Sequence, residues 1–506
     1  MAFPSLLVAS TASGAGKTLT TLALICALRA RGINVAAAKS GPDYIDAGFH
    51  AAVAGTPVFN LDVWMSRAAR PPTRCPADRK TVTDAPRPSR GRVISGAPVG
   101  LGRLFSRLRA ASDMVLVEGA MGLYDGTADG SGLASSAHLA MLLHLPVLLL
   151  LHAGGMGQSA GALAEGFLRH RPAWLAHCGK ELTFAGLACT HVGGEKHKAV
   201  LRAALNEVEA GTGVPLLGLL PREGAPRLAS RHLGLVEARE AAPALDHSAL
   251  ADWMEANCDV GALLARIGFI KKRPGRKRET GAAPAGTGKI RVGIARDAAF
   301  SFCYADLPDL LAEFGARSVF FSPLADAAPP SCDALYFPGG YPELHARELA
   351  DNTAMLEALR DMAGRGGSIY GECGGYIYLM RSLCYDGTEY AFGGLLPLAC
   401  AVGKERAALG YRGVRALAGW PPRTPDAGDA AGGGLLWARG HEFHYGRLTE
   451  TGLPDACAPI WRMYDSAGAD LGFEGCRKGG VAGSWVHLYP EGARRFWKAW
   501  LRGMAG

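Results

Sequence analysis

Hydrophobic and polar positions repeat one rhythm twice along the chain. Short apolar runs recur at Leu6–Ala9, Val35–Ala38, Met114–Val117, Val147–Leu151, Phe184–Cys189 and Leu216–Leu219, with helical stretches between them. The rhythm restarts at Ile290–Ala295, Ser318–Phe321, Ala334–Phe337 and Ile369–Tyr370. Runs that are apolar throughout mark strands buried on both faces, and their alternation with helices argues parallel sheets covered on each side. The pattern predicts an α/β protein with two doubly wound domains. Between the two stretches, residues 271–289 (KKRPGRKRETGAAPAGTGK) are charged, then small, with no apolar period, and read as a linker. The expected division is 1–270, 271–289 and 290–506. Residues 66–92, punctuated by proline, and 420–434 (WPPRTPDAGDAAGGG) read as loops inserted in the first and second domains.

Composition narrows the class. The chain has 506 residues, 49% apolar and 20% charged, which excludes a disordered polypeptide. Its 12 cysteines are irregularly spaced with no C-x-x-C pair, which argues against a disulfide scaffold or a finger-type zinc site. The longest apolar run, Leu139–Leu151, is broken by His144 and Pro146 and reads as a helix end followed by a buried strand, too short to span a membrane. No charged leader precedes the first strand, so a cytoplasmic protein is expected. The net charge is +8, yet residues 66–92 carry +6 and residues 271–279 carry +5, so the rest of the chain is net acidic. Basicity confined to two Pro/Gly-rich segments with few aromatics does not make a nucleic-acid groove.

Two motifs carry chemistry. After Leu6–Ala9 comes Ser10-Thr11-Ala12-Ser13-Gly14-Ala15-Gly16-Lys17-Thr18, then a helical run to Ala30. Strand, glycine-rich turn, Gly-Lys-Thr and helix are what a phosphate loop requires: backbone N–H groups close on phosphate oxygens at a helix N-terminus. Ser13, Gly14, Gly16, Lys17 and Thr18 are the expected ATP contacts, Lys17 at the terminal phosphates and Thr18 on magnesium. Thr11 stands where the standard spacing has glycine, so the loop is a variant form. Asp43, Tyr44 and Asp46 follow the second strand, and Glu118 ends the next, so these acids reach the same sheet edge. Thr18, Asp46 and Glu118 are the candidate Mg2+ ligands.

In the second domain, Ser368–Tyr370 runs into Gly371-Glu372-Cys373-Gly374-Gly375 and then a helix, the pattern of a nucleophile elbow. The helix N-terminus is expected to lower the Cys373 thiol. His487, ending a short apolar segment, is its candidate base. Gly339 and Gly340, in PGGYPE after another strand, are candidate oxyanion donors. His441 and His444 lie three apart in RGHEFHY; with no third ligand evident, a structural or substrate-contacting loop is read there rather than a metal pair.

With these residues set out, the chain resembles the cobyrinic or hydrogenobyrinic acid a,c-diamide synthases of cobalamin biosynthesis. SGAGKT, KSGPDYID, VEGAMGLYDG, GMGQS, VGGEKH, RHLGLV, ARDAAFSF, FFSPLAD, ALYFPGGYPELHA, YGECGGYIYLM, GHEFHYG and GSWVHLYP carry the resemblance, in this order and over most of both domains. It implies a dethiobiotin-synthetase-like N-terminal half and a class I glutamine amidotransferase, flavodoxin-like, C-terminal half. It also implies that Cys373, assisted by His487, releases ammonia from glutamine, and that ATP with magnesium activates corrinoid carboxylates as acyl phosphates. Asp43, Tyr44, Asp46 and Glu118 match the family's positions for substrate and metal handling. The implied partners are glutamine and a corrinoid polycarboxylate, with neither nucleic acid nor membrane, and a homodimer is the candidate assembly. The likeness leans to the metal-free hydrogenobyrinic substrate. Three positions depart from the family: Ser10 for glycine, His152 for aspartate and Thr190 for asparagine. Class I enzymes usually carry glutamate two residues after the histidine; here Tyr489 stands there, with Glu491 a weak substitute. Two alternatives stay open. Cobyric acid synthase, which amidates other carboxylates, is disfavoured by KSGPDYID and GHEFHYG. A P-loop ATPase switch of the partitioning kind is disfavoured by the Cys373 elbow.

Overall fold

A computed structural model describes residues 3–67, 97–128, 130–172, 174, 181–226, 245–270, 288–422 and 436–504. The expected linker at 271–289 and the expected loops at 66–92 and 420–434 fall largely outside these residues, as does RHLGLV. The chain forms two compact units, Met1–Trp64 with Thr83–Thr280, and Met65–Val82 with Gly281–Gly506.

The first unit is built on strands β1 (Ser5–Ser10), β2 (Val35–Ser40), β3 (Phe59–Leu61), β4 (Met114–Glu118), β5 (Val147–His152), β6 (Phe184–Val192) and β7 (Leu216–Pro221). Among the described residues they form one sheet in the order β3-β2-β4-β1-β5-β6-β7. Every pairing is parallel. Six strands coincide with the apolar runs; β3, only three residues long, gives no run to see. β1, β2 and β4 are buried along their whole length, as covered parallel strands must be. The helix Lys17–Ala30 packs Leu22, Leu24, Ile25 and Leu28 into the core with Leu6, Val8, Val35 and Leu116. The run Leu139–Leu151 resolves as expected: the helix Ser136–Leu143 stops at His144, whose φ is 54°, and β5 starts after Pro146.

In the second unit, β8 (Ile290–Ala295), β9 (Ala316–Phe321), β10 (Ala334–Phe337) and β11 (Ser368–Glu372) are the predicted strands. They join a six-stranded sheet whose other members are β20 (Cys476–Lys478) and β21 (Val481–Ser484), in the order β20-β21-β11-β10-β8-β9. All pairings are parallel except that of β20, an antiparallel edge. The period-2 side-chain alternation sends Leu335, Phe337 and Ile369 into one core and Ala334, Tyr336 and Tyr370 into another across the sheet.

Two further sheets were not foreseen. β12 (Met380–Tyr385), β13 (Thr388–Ala391), β14 (Leu396–Val402) and β17 (Gly446–Leu448) form one. β15 (Ala408–Ala416), β16 (Trp437–His444), β18 (Trp461–Tyr464), β19 (Asp470–Glu474) and β22 (His487–Leu488) form the other, antiparallel throughout. RGHEFHY, read as a loop, is therefore mostly strand β16; His441 and Glu442 hid the strand because they are buried polar residues, not solvent-facing ones.

Candidate active sites

In the first unit the loop after β1 turns into its helix through Gly14 and Gly16, with φ of 74° and 82°. Positive φ there lets successive N–H groups point inward, which a side-chain-bearing residue would resist. Lys17 Nζ donates to Ser10 Oγ at 2.9 Å, Ala12 O at 3.2 Å and Met121 O at 2.7 Å. Ser10, a departure from the family pattern, is thus a rest for the phosphate-loop lysine. Thr190 Oγ1 donates to Ala15 O at 2.9 Å and so braces the same loop. His152 packs on His191 with ring centroids 4.2 Å apart. Burial and the neighbouring Lys39 hold the Lys17 ammonium below the ordinary lysine range.

The three predicted magnesium ligands do meet. Thr18 Oγ1 donates to Glu118 Oε1 at 3.1 Å and Asp46 Oδ1 at 3.3 Å. Asp43 caps the helix Tyr44–Ala54, accepting from the Ile45 and Asp46 amides, and Tyr44 is that helix's first residue. The sequence reading missed what stands among them. Lys39 Nζ lies 2.5 Å from Asp46 Oδ2, 2.7 Å from Glu118 Oε1 and 3.7 Å from Asp43 Oδ2. His50 Nε2 lies 2.7 Å from Glu118 Oε2. Burial would lower Lys39 and raise Glu118, but their mutual attraction wins, holding the lysine above and the glutamate below their usual ranges. Asp46 is pushed up to about 7 by burial and by Glu118. A signal existed: Lys39 stands next to the end of β2 and opens KSGPDYID, and His50 stands four residues, one helical turn, beyond Asp46. Among the described residues no group of three or more His, Cys, Asp and Glu is placed to hold a metal ion.

In the second unit β11 runs into the helix Gly374–Leu379 through Cys373, whose φ is 49° and ψ −106°. That strained conformation is the elbow. Cys373 N donates to Ser484 O at 2.7 Å, continuing the β11–β21 ladder. A Cβ on Gly374 would lie 2.9 Å from Gly340 N, so the elbow packs directly on the glycine turn. A Cβ on Gly339 would overlap Cε1 of His487. The turn thus lies against the elbow at Gly340 and against the imidazole at Gly339, where a side chain on Gly339 would displace the ring.

Both candidate residues are buried, Cys373 at 5% exposure and His487 at 1%. Burial raises the thiol, with Glu343 adding to it, and the Gly374 amide only partly opposes them. The expected lowering by the helix is reversed, because the helix is six residues long and desolvation outweighs it. Burial, then His444, pushes His487 down to about 3 against the pull of Glu442. Burial thus favours the protonated thiol and the neutral imidazole.

Buried acids around this site also went unseen. Glu474 accepts from Ser484 Oγ and from the Trp485 amide, both at 2.7 Å, which fixes the segment leading to His487. Glu372 accepts from the Tyr336 hydroxyl at 2.8 Å. Burial raises each to about 8. Glu491 pairs with Arg494 at 3.2 Å.

Comparison with known proteins fits this division. Residues 6–236 match the family model described as a CobQ/CobB/MinD/ParA nucleotide binding domain, and residues 291–494 that of a CobB/CobQ-like glutamine amidotransferase domain. The hydrogenobyrinate a,c-diamide synthase of Rhizobium meliloti (strain 1021) is 38% identical over 492 residues, covering 96% of this chain and 98% of the relative. The protein of that name from Rhodobacter capsulatus is 40% identical over 489 residues, with the same coverage of 96% and 98%. No helix among the described residues is long and apolar enough to cross a membrane.

Proposed function

We propose that this chain, which belongs to the hydrogenobyrinate a,c-diamide synthase family, uses ATP and glutamine to amidate the a and c carboxylates of hydrogenobyrinic acid in the cytoplasm. Cys373 attacks the glutamine side-chain carbonyl while His487, neutral at rest, takes the thiol proton. The Gly339 and Gly340 amides face the oxyanion, His487 passes its proton to the departing nitrogen so that ammonia leaves, and water frees glutamate from the thioester. In the first unit Ser13, Gly14, Gly16, Lys17 and Thr18 hold the ATP phosphates, and a corrinoid carboxylate, handled by Asp43, Tyr44 and Asp46, takes the terminal phosphoryl group. Ammonia then displaces phosphate from the acyl phosphate, giving the amide. A carboxylate resists ammonia until it carries such a leaving group.

One hydroxyl and two carboxylates suit magnesium, so Thr18, Asp46 and Glu118 would hold that ion, which neutralises phosphate charge when bound. Lys39 already supplies one positive charge between the two acids and holds Glu118 in its charged form.

The observation that carries the reading is the strained Cys373 elbow packed on the Gly339–Gly340 turn beside His487, for which a P-loop switch has no use. The test is amide counting by mass spectrometry with hydrogenobyrinic and cobyrinic acids. Cys373→Ala should abolish glutamine-driven amidation and spare ammonium-driven amidation; Lys17→Ala should abolish both. Equal loss of both activities in Cys373→Ala would overturn the division of labour, and amides beyond two would favour a cobyric acid synthase.

A further inference from the structure

A general base works only when its lone pair is aimed at the proton it removes, so a catalytic imidazole needs a neighbour that fixes its ring. Two residues beyond His487 stands Tyr489, which is not an acid. Glu442 is near enough to act on His487 electrically, but its carboxylate already holds Arg412 Nε at 2.5 Å and faces His444 at 3.8 Å.

What faces His487 is a second imidazole. His441 stands directly opposite it in the β16–β22 pairing. The two rings stack with centroids 4.8 Å apart and planes 14° from parallel. His441 is itself held: its Nδ1 shares a hydrogen bond of 3.2 Å with the Tyr304 hydroxyl. Tyr304 in turn packs edge-on against Tyr489, with centroids 5.2 Å apart at 90°. Tyr489 is fully buried, so this chain of contacts is anchored in the core. Phe302 comes against His487 at 6.5 Å, and Gly339 meets its Cε1 edge. Burial holds His441 far below the ordinary histidine range, so the stack is not opposed by a second positive charge when His487 takes the thiol proton.

We propose that His441 is the positioning residue of the glutaminase: its ring, fixed by Tyr304 and through it by Tyr489, is the flat support that keeps the His487 imidazole aimed at Cys373. The inference rests on the reading of Cys373 and His487 as the glutaminase pair. It gives GHEFHYG a use that neither a metal pair nor a surface loop would.

The test compares His441→Ala, which removes the ring, with His441→Phe, which keeps a flat face and loses only the polar edge. Misaiming a reacting group by an ångström costs on the order of 100-fold. His441→Ala should lower kcat for glutamine hydrolysis by about 30- to 100-fold, leave the glutamine KM within about twofold, and leave ammonium-driven amidation unchanged. His441→Phe should recover kcat to within about tenfold of the parent protein. Tyr304→Phe, which deletes one hydroxyl and no ring, should lower kcat by about three- to tenfold with KM unchanged; it serves where His441→Ala fails to fold. A parental kcat in His441→Ala or Tyr304→Phe, a loss confined to KM, or a His441→Phe no better than His441→Ala would overturn the proposal. Cys373→Ala is measured alongside. Should it retain glutamine-driven amidation, the glutaminase assignment itself would fail, a result distinguishable from any outcome at His441.

Discussion

Replacing Lys39 with methionine removes the ammonium that joins the acids of the first unit while nearly keeping the side-chain volume. The Lys39 side chain is 3% exposed and that of Glu118 is 0%. Its ammonium touches Glu118 at 2.7 Å and Asp46 at 2.5 Å, so both carboxylates lose their cation together. The Thr18 hydroxyl at 3.1 Å and His50 Nε2 at 2.7 Å remain beside Glu118. Breaking a buried pair by deleting one partner costs about 3–5 kcal/mol, since the survivor is left uncompensated. At roughly 2–4 °C per kcal/mol for a domain of this size, the first unit should melt about 6–20 °C lower at pH 7.5. The sign with pH follows from linkage. In the parent protein Glu118 is held below its usual range, so its stabilisation is fully present above the unfolded value near 4.5 and is lost as pH falls below it. Without Lys39 burial dominates and lifts the folded value above the unfolded one, so the variant takes up a proton on folding and regains stability as pH drops from 7.5 toward 5. Lys39 itself, held above its usual range, contributes nothing that changes over this window. Scanning calorimetry of both proteins at pH 5, 6 and 7.5 reads the deficit directly. A deficit of the same size at all three values, or none at pH 7.5, would refute the reasoning.

Gly339→Ala would set a Cβ on the His487 ring edge, and the imidazole must turn away; glutamine hydrolysis should fall about 100-fold while ammonium-driven amidation persists, and an unchanged hydrolysis rate would show that the turn does not set the ring. With His487 pushed down to about 3 and the Cys373 thiol raised by burial, neither the proposed base nor the proposed nucleophile titrates near neutrality in the free enzyme. Then kcat/KM for glutamine should climb from pH 6 to 9 with no plateau, and a plateau beginning near pH 6.5 in that profile would contradict the neutral resting pair.

How much of this was legible in the sequence depended on whether a residue declared its surroundings. The apolar runs exposed both parallel sheets, because strands covered on two faces leave no polar position to break the run. The phosphate loop and the Cys373 elbow were legible because a strand, small residues and a helix must follow one another in a fixed local order. β15 and β16 were not, because Arg412, His441 and Glu442 interrupt them. Those side chains are polar, and His441 and Glu442 are buried, whereas a one-residue alternation rule assigns them to solvent. The same blindness hid Glu372 and the contact of Lys39 with Glu118, since partners 36 or 79 positions apart give a local reading nothing to pair.

The two units handle buried polarity in opposite ways, and the difference follows from the chemistry proposed for each. Around Thr18 the buried Glu118 carboxylate is held in its charged form by Lys39, so that charge has its partner before any nucleotide arrives. Around Cys373 the thiol and imidazole are both kept neutral by burial, so neither needs a counter-charge at rest. Charge must then be created during attack, when the thiol proton passes to His487 and negative charge develops beside Gly339 and Gly340. A site that makes its ion pair only during the reaction cannot rely on that pair to orient the ring beforehand. Orientation has to come from uncharged contacts, and the stack of His441 on His487, with Tyr304 behind it, is a contact of that kind.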